Sequence, residues 1–398
     1  MFAHGNGQGS IQLAERMAQL GTESAFEVLV RARALEATGR DVVHLEIGEP
    51  DFDTPAHIIE AGVNALRDGQ THYTPAAGIP QLREAIADEI NRTRGTSLGP
   101  ERVVVTPGAK PIMFFVIMAL AGPGDEIIYP DPGFPIYESV IRFVGATPVP
   151  LTLREDADFS FAPDDLTRLV TDKTKLVIIN SPHNPTGGAV SSAALDELAR
   201  LANERGFMVL ADEIYGRMLY EGTHESVITR PGMLDRTIIL DGFSKTYAMT
   251  GWRLGYGVMP EELAQQISRL AVNCHSCVPA FTQLAGVAAL TGPQDAVEAM
   301  VAEFRIRRDA VVAGLNDIPG VTCLVPPGAF YVFPNISSFG VPSVDVATKL
   351  LDEGGVALLN GGAFGAAGNG YLRLSYANSL DNIEKALERI RTTLLQLG

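Results

Sequence analysis

Short runs of aliphatic and β-branched residues recur through the middle of the chain, separated by longer stretches with helical spacing. Val103–Thr106, Glu126–Tyr129, Leu176–Asn180, Met208–Ala211, Thr237–Leu240 and Tyr256–Met259 are such runs. They lack polar–apolar alternation, which predicts strands covered on both faces, as in a parallel sheet. Between them, Pro111–Ala121 and Ser192–Arg205 read as helices. Strand–helix–strand repetition predicts an α/β fold with a mainly parallel sheet. In such sheets ligands gather at the carboxyl ends of the strands, which directs attention to the residues just after each run.

The flanks follow a different pattern. Residues 1–10 are rich in glycine and polar residues and predict a loose arm, while Gln12 to Thr38 predicts one helix stopped by Gly39. From Asp295 a long helical pattern takes over, containing Phe304, Arg307 and Arg308. Ile383, Leu387, Ile390 and Leu394 again have helical spacing in Asn382 to Leu397. The change of pattern places a boundary near residue 290. The expected organisation is an arm and part of a small domain in 1–47, a large domain in 48–290 and a small C-terminal domain in 291–398.

Composition narrows the function classes. At roughly 150 residues per domain, 398 residues suit two lobes rather than one small module. There are 31 basic and 47 acidic residues, a formal charge of −16. That argues against a nucleic-acid-binding protein, which carries a basic face, and against an anionic membrane surface as partner. The longest wholly apolar run, Ile112 to Ala121, is far short of the roughly 18 residues that cross a bilayer. Met1 to Ser10 shows neither a basic nor an apolar leader pattern, so no secretory signal is expected. The three cysteines, Cys274, Cys277 and Cys323, are too few and odd in number for a disulfide framework. They fit a reducing cytoplasm.

Three motifs are incomplete. Cys274-His275-Ser276-Cys277 has zinc-knuckle spacing but no second knuckle, and two partly buried thiols are the simpler expectation. Gly242-Phe243-Ser244-Lys245-Thr246 lacks the glycine that a P-loop needs before its lysine. Gly5-Asn6-Gly7-Gln8-Gly9-Ser10 lacks both the last glycine of a dinucleotide fingerprint and a preceding strand.

The strand ends carry the chemistry. Lys245 follows the run Thr237–Leu240, and Arg253 comes eight residues later. A lysine amine can bond covalently to an aldehyde cofactor, and an arginine fork can hold a phosphate through two charge-assisted bonds. Asp212 and Tyr215 follow Met208–Ala211, where a buried carboxylate needs a cationic partner. Asn180-Ser181-Pro182-His183-Asn184-Pro185-Thr186-Gly187 is a constrained turn that presents Asn184. In Thr106-Pro107-Gly108-Ala109-Lys110-Pro111 a strand gives way to a helix, so free N–H groups at Gly108, Ala109 and Lys110 can face an anion. Singly, each has an ordinary structural explanation. Together they are the parts required to hold pyridoxal 5′-phosphate (PLP).

With these residues in view, the sequence from about Leu13 onward resembles the fold-type I, class I/II aminotransferases, close to the prokaryotic aspartate aminotransferases. The match includes Gly48-Glu49-Pro50-Asp51, Tyr73-Thr74-Pro75, Asn184-Pro185-Thr186-Gly187, Asp212-Glu213-Ile214-Tyr215, Ser244-Lys245-Thr246 and Arg373-Leu374-Ser375-Tyr376. The resemblance implies a large domain with a mostly parallel seven-stranded mixed sheet between helices, and a smaller α+β domain from both termini. It implies that Lys245 carries PLP, Asp212 pairs with the pyridine nitrogen, and Tyr215 and Asn184 bond the ring hydroxyl. Gly108, Ala109, Lys110, Ser244 and Arg253 would surround the phosphate, with Phe134 stacked on the ring. Arg373, Gly48 and Asn184 would receive the substrate. Tyr73 would reach the phosphate in the neighbouring subunit of a homodimer with shared sites. Gly242 departs from relatives that place a phosphate-binding serine there.

The implied reaction is two-stage amino transfer from an L-α-amino acid to a 2-oxo acid. Aspartate or glutamate is the expected donor within a broad range, with Lys110 meeting the distal carboxylate. Aromatic, alanine or specialised donors are the alternative. A PLP lyase or decarboxylase would use the same lysine and aspartate, but Arg373 in its Arg-Leu-Ser-Tyr setting fits amino transfer better. A non-catalytic binder of the same fold would be expected to have lost Lys245 or Asp212.

Overall fold

The apolar runs become the middle of one large sheet in the computed structural model, which describes residues 11–397. After a short strand β1 (Val43–His44), that sheet comprises β2 (Val103–Thr106), β3 (Glu126–Asp131), β4 (Thr147–Thr152), β5 (Thr174–Asn180), β6 (Met208–Asp212), β7 (Thr237–Gly242) and β8 (Gly255–Val258). The seven strands lie in the order β2-β8-β7-β6-β5-β3-β4. Only β8 runs antiparallel to its neighbours.

Alternate residues of the central strands enter opposite cores, which explains the unbroken apolar runs. Leu176 and Ile178 meet Ile112, Val116 and Ile141 on one face, whereas Val177 and Ile179 meet Leu195 and Leu198 on the other. The helix Lys110–Leu120 is apolar nearly all round because it lies between the sheet and the helix Glu261–His275. Burying each such aliphatic side chain contributes roughly 1.5–3 kcal/mol.

Two sequence expectations need correction. β4 was not foreseen, because Pro148 and Pro150 interrupt its apolar pattern. It is an edge strand, where a missing N–H costs no ladder bond. Gln12 to Thr38 is not one helix. A 3₁₀ turn at Glu15–Gln19 is followed by extended backbone, and the α-helix starts only at Ser24 and runs to Glu36. Gly21 and Thr22 break the pattern, and the Gly21 N–H donates to Ser139 Oγ at 2.8 Å, fastening the extended piece to the helix Ile136–Phe143. The arm of residues 1–10 lies outside the described residues, as does the glycine-rich motif within it.

Both ends of the chain meet. β1 pairs in parallel with β10 (Val356–Ala357), and β9 (Tyr331–Val332), β11 (Leu359–Asn360) and β12 (Leu372–Ser375) form an antiparallel sheet in the order β11-β12-β9. Val43 and Leu45 share a core with Phe304, Val311, Leu374 and Ile390. The same core takes in Tyr215, Met218 and Tyr220, so the segment after β6 bridges to the C-terminal part. Cys274 is exposed, against the expectation of partial burial, and Cys277 is half-buried. Among the described residues, no group of three or more His, Cys, Asp or Glu side chains is arranged to hold a metal, and no helix is long and apolar enough to cross a membrane.

The segment after β6 is secured by a buried ion pair. Arg94, at the end of the helix Pro80–Arg94, donates to Glu213 Oε2 at 2.7 Å, with both side chains almost wholly covered. Burial alone would raise the Glu213 carboxyl, but Arg94 and His224 outweigh it and hold it at about 2. The stabilisation is therefore complete above the ordinary carboxyl value of 4.5 and is lost as pH falls toward 2. Arg94→Met would leave the carboxylate buried without its arginine, so denaturant unfolding at neutral pH should show a loss of about 3–5 kcal/mol. A loss below about 1 kcal/mol would mean that the pair contributes no more than a surface one.

Candidate active site

Strand register assembles the site. In the β5–β6 ladder Asn180 stands opposite Asp212, both at the carboxyl ends, and Asp212 stands opposite Leu240 of β7. Lys245 lies in the turn just after β7, and Arg253 in the turn before β8. Asp212, Lys245 and Arg253 all line a cavity of about 590 Å³, together with Gly48, Ala109, Lys110, Phe134, Asn184, Tyr215, Ser244 and Arg373.

Asp212 is buried at the cavity floor. Its Oδ2 accepts from Tyr137 Oη at 2.6 Å and its Oδ1 from the Ile214 N–H at 3.3 Å. Asn180 Nδ2 donates to the Asp212 carbonyl at 2.9 Å, tying the two strand ends together. Burial pushes the Asp212 carboxyl up to about 6, with the Tyr137 and Ile214 hydrogen bonds and the Lys245 charge opposing the rise. A group this short of partners is poised to receive a cation.

Lys245 donates to the Gly48 carbonyl, and its Nζ lies 5.8 Å from the centre of the Phe330 ring. Burial, reinforced by Arg373 and Arg253, brings its ammonium down to about 8 against the opposing charges of Glu49 and Glu23. A far larger share of the lysine is then neutral near physiological pH than for an exposed lysine, which favours a nucleophilic or proton-transferring amine.

The turn at Gly108 and the turn at Arg253 are built against each other. Gly108 has φ of +86°, and a Cβ there would lie 2.3 Å from Arg253 Nη2. Arg253 is itself left-handed, at φ 53°, and Nη1 donates to the Thr250 carbonyl at 2.9 Å. Gly255 is equally constrained, since a Cβ would lie 2.3 Å from the Ala109 nitrogen. The guanidinium is thus drawn to the start of the helix Lys110–Leu120, where a dianion gains from fork, N–H groups and helix dipole together. Gly242 lies beneath this region, where an added Cβ would approach Cα of Gly255 to 3.0 Å. Close strand packing accounts for the glycine.

Across the cavity, Arg373 is buried with its guanidinium over the rings of Tyr331 at 4.7 Å and Phe364 at 5.3 Å. Nη2 donates to the Glu46 carbonyl, while the buried Nε has no partner. A held arginine with a spare donor suits a carboxylate. Gly48 approaches so closely that a Cβ would lie 2.0 Å from Tyr331 Oη. Tyr331 Oη and Tyr215 Oη are 2.8 Å apart. Asn184 is positioned by its own N–H, which donates to Asn180 Oδ1 at 2.8 Å, and its buried Oδ1 has no partner.

Phe134 lines the cavity edge-on to Tyr137, with ring centres 5.6 Å apart. Lys110 is half-exposed, pairs with Glu23 and lies 5.3 Å from the Phe134 ring centre. Tyr73 is not brought into this chain's cavity. It is 90% exposed and does not line the cavity. Sequence reasoning missed Tyr137, Tyr331, Phe364 and Glu23. Only Tyr137 had a local signal, a polar-tipped residue on the helix after β3. The others reach the cavity through the C-terminal part and the N-terminal segment.

These residues fit PLP. The cradle at Gly108 and Arg253 that a Cβ would fill, the acidic group at Asp212, the depressed amine at Lys245 and the unpartnered atoms of Asn184 and Arg373 match a phosphate, a pyridine nitrogen, an aldehyde and a ligand's polar edges. Comparison with known proteins agrees. A family model for aminotransferase class I and II matches residues 40–390. An aspartate aminotransferase from Geobacillus stearothermophilus is 38% identical over 387 residues, 96% of this chain and 98% of its own length. The solved structure titled aspartate aminotransferase from Thermus thermophilus with maleate has a TM-score of 0.91 at 38% identity, covering 96% of this chain and 100% of that one. An alanine aminotransferase from Pyrococcus furiosus reaches 0.91 at 34% identity, covering 97% and 100%. The chain therefore belongs to the class I and II aminotransferases, PLP-dependent enzymes that move amino groups between amino acids and 2-oxo acids.

Proposed function

We propose that this aminotransferase accepts aspartate or glutamate within a broad range of L-α-amino acid donors, with 2-oxoglutarate as an acceptor. The observation that carries the reading is the pair of cations in one cavity, buried Arg373 and half-exposed Lys110. Every amino acid has an α-carboxylate for Arg373. Only an acidic one needs a second cation, because an unpaired carboxylate loses several kcal/mol when water is excluded. Lysine is a flexible point charge and can turn away from a neutral side chain, which supports breadth.

In this reading 48–290 forms the cofactor domain, with 1–47 and 291–398 supplying the smaller one. When bound, PLP supplies an electron sink for the charge left when the donor's α-proton departs. Arg373 grips the α-carboxylate and fixes the donor. The Lys245 amine would take the proton from the donor Cα and hold it at Nζ for return to the reacting skeleton. Asp212 would pair with the ring nitrogen in its protonated form, and Tyr137 holds Asp212 in line. Tyr215 and Asn184 would bond the ring hydroxyl, and Phe134 would lie against the ring. Arg253, Ser244 and the N–H groups of Gly108, Ala109 and Lys110 bind the phosphate. The exposed Tyr73 reaches the phosphate site of a second subunit, making the working form a homodimer, with the cytoplasm as its compartment.

Lys245 sets a pH dependence. Apoprotein mixed with PLP should load covalently at a rate that rises with pH and levels above about 8, as the neutral amine forms. Borohydride trapping followed by peptide mapping should place the label on Lys245. Asp212→Asn should load but lose about a hundredfold or more in turnover. A pH-independent rate, or a label on another lysine, would remove the assignment.

Lys110→Met tests the substrate reading. The ratio of kcat/KM for aspartate to that for alanine should fall about tenfold, near 1.4 kcal/mol. An unchanged ratio, or a wild-type enzyme inert toward both acidic donors, leaves a general aminotransferase without dicarboxylate preference.

Shared sites are tested by mixing Tyr73→Ala and Lys245→Ala subunits under dissociating conditions and letting them re-pair. One site in each hybrid then carries both lesions and the other neither, so activity should rise above the sum of the parents. No gain, or full activity in a monomer, contradicts the dimer.

A further inference from the structure

The solvent side of the cavity is covered by a segment with a negative charge. Glu23, Ser24, Ala25 and Phe26 all line the cavity. The segment enters as extended backbone, tied to the protein body by the Gly21 N–H on Ser139 Oγ, and becomes helical only after Glu23. Glu23 Oε1 accepts from Lys110 Nζ, the only ion pair Lys110 makes among the described residues. The Glu23 side chain is 22% exposed, against 47% for Lys110, so the carboxylate is the better covered member. Its charge is also felt deeper in the cavity, where it favours the charged forms of Lys245 and Arg373.

Lys110 is the cation assigned above to the distal carboxylate of an acidic donor, and that cation already has a carboxylate. We propose that Glu23 is a specificity-determining residue that competes with acidic substrates for Lys110. The inference rests on the Lys110 reading. Donors with neutral side chains enter with the ion pair intact. Aspartate or glutamate must displace Glu23 or crowd a second carboxylate beside it, and like charges repel strongly where water is partly excluded. The exchange is feasible because an exposed lysine pair is weak and Glu23 sits on the extended piece rather than within the helix. Glu23 thereby lowers the preference for acidic donors that Lys110 alone would create, which keeps the donor range broad.

The test compares Glu23→Gln, Lys110→Met and the double variant as PLP-loaded enzymes. Two readouts are taken: the aspartate-to-alanine ratio of kcat/KM, and calorimetric affinity for succinate against butyrate. Glu23→Gln should raise the aspartate-to-alanine ratio about fivefold to tenfold and tighten succinate by a similar factor, with butyrate unmoved. In the Lys110→Met background the same substitution should change neither readout by as much as about twofold, since coupled residues are non-additive. If Lys110→Met lowers the ratio while Glu23→Gln leaves the ratio and succinate unchanged, Glu23 is a surface ion pair only and the inference falls with the Lys110 reading intact. If Lys110→Met leaves the ratio unchanged, the Lys110 reading falls and takes the inference with it. An equal Glu23→Gln effect with and without Lys110 overturns the competition as well.

Discussion

A carboxylate lies at the end of a strand buried on both faces, with one tyrosine hydroxyl and one backbone N–H for company, and the rest of the site follows from keeping it there. Asp212 is costly to ionise in that place, as its raised pKa shows. The ladder bonds of β6 to β5 and β7 prevent it from turning out to water. Tyr137 offsets part of the penalty, and the Asn180 bond to its carbonyl fixes the backbone. A bound pyridinium would offset the remainder. The parallel register that imposes the cost also sets Lys245 and Arg253 around the same cavity, because successive strand ends lie side by side.

The large sheet was legible because the strands that carry the site are buried on both faces along nearly their whole length. After Lys175, β5 takes no polar residue until Asn180, and β6 takes none until Asp212, so the apolar run and the functional residue mark each other. β4 was hidden because an edge strand tolerates Pro148 and Pro150. The cradle could be read from Gly108 and Arg253 as neighbours of strand ends, although only coordinates show a guanidinium in the space of a missing Cβ. Tyr331, Phe364 and Glu23 were not legible. They reach the cavity from parts of the chain distant from β5–β7, and no local periodicity encodes a long-range contact. The expected single helix over Gln12 to Thr38 concealed the most consequential case, because two residues of broken pattern, Gly21 and Thr22, bring Glu23 over the site.

The charges of this protein act at two ranges. A formal charge of −16 surrounds a cavity intended for anions, and at long range that field opposes them. Salt screens exposed charges beyond about 8–10 Å, so the opposition fades close to the surface. Inside the cavity the deciding charges are few. Arg253 is held against the Gly108 turn, and Arg373 is stacked between two rings. Both are oriented before a ligand arrives, Arg253 by its bond to the Thr250 carbonyl and Arg373 by its bond to the Glu46 carbonyl, so both suit groups that every substrate or cofactor molecule carries. Lys110 is different, being half-exposed and paired with Glu23. The division follows from side-chain physics. In the proposed reading the two arginines meet the phosphate and α-carboxylate that every cofactor and donor carries, and a flexible lysine meets the part of the substrate that varies. On that reading, discrimination among donors belongs where the N-terminal segment and Lys110 meet, while the chemistry common to all donors is confined to the strand ends beneath.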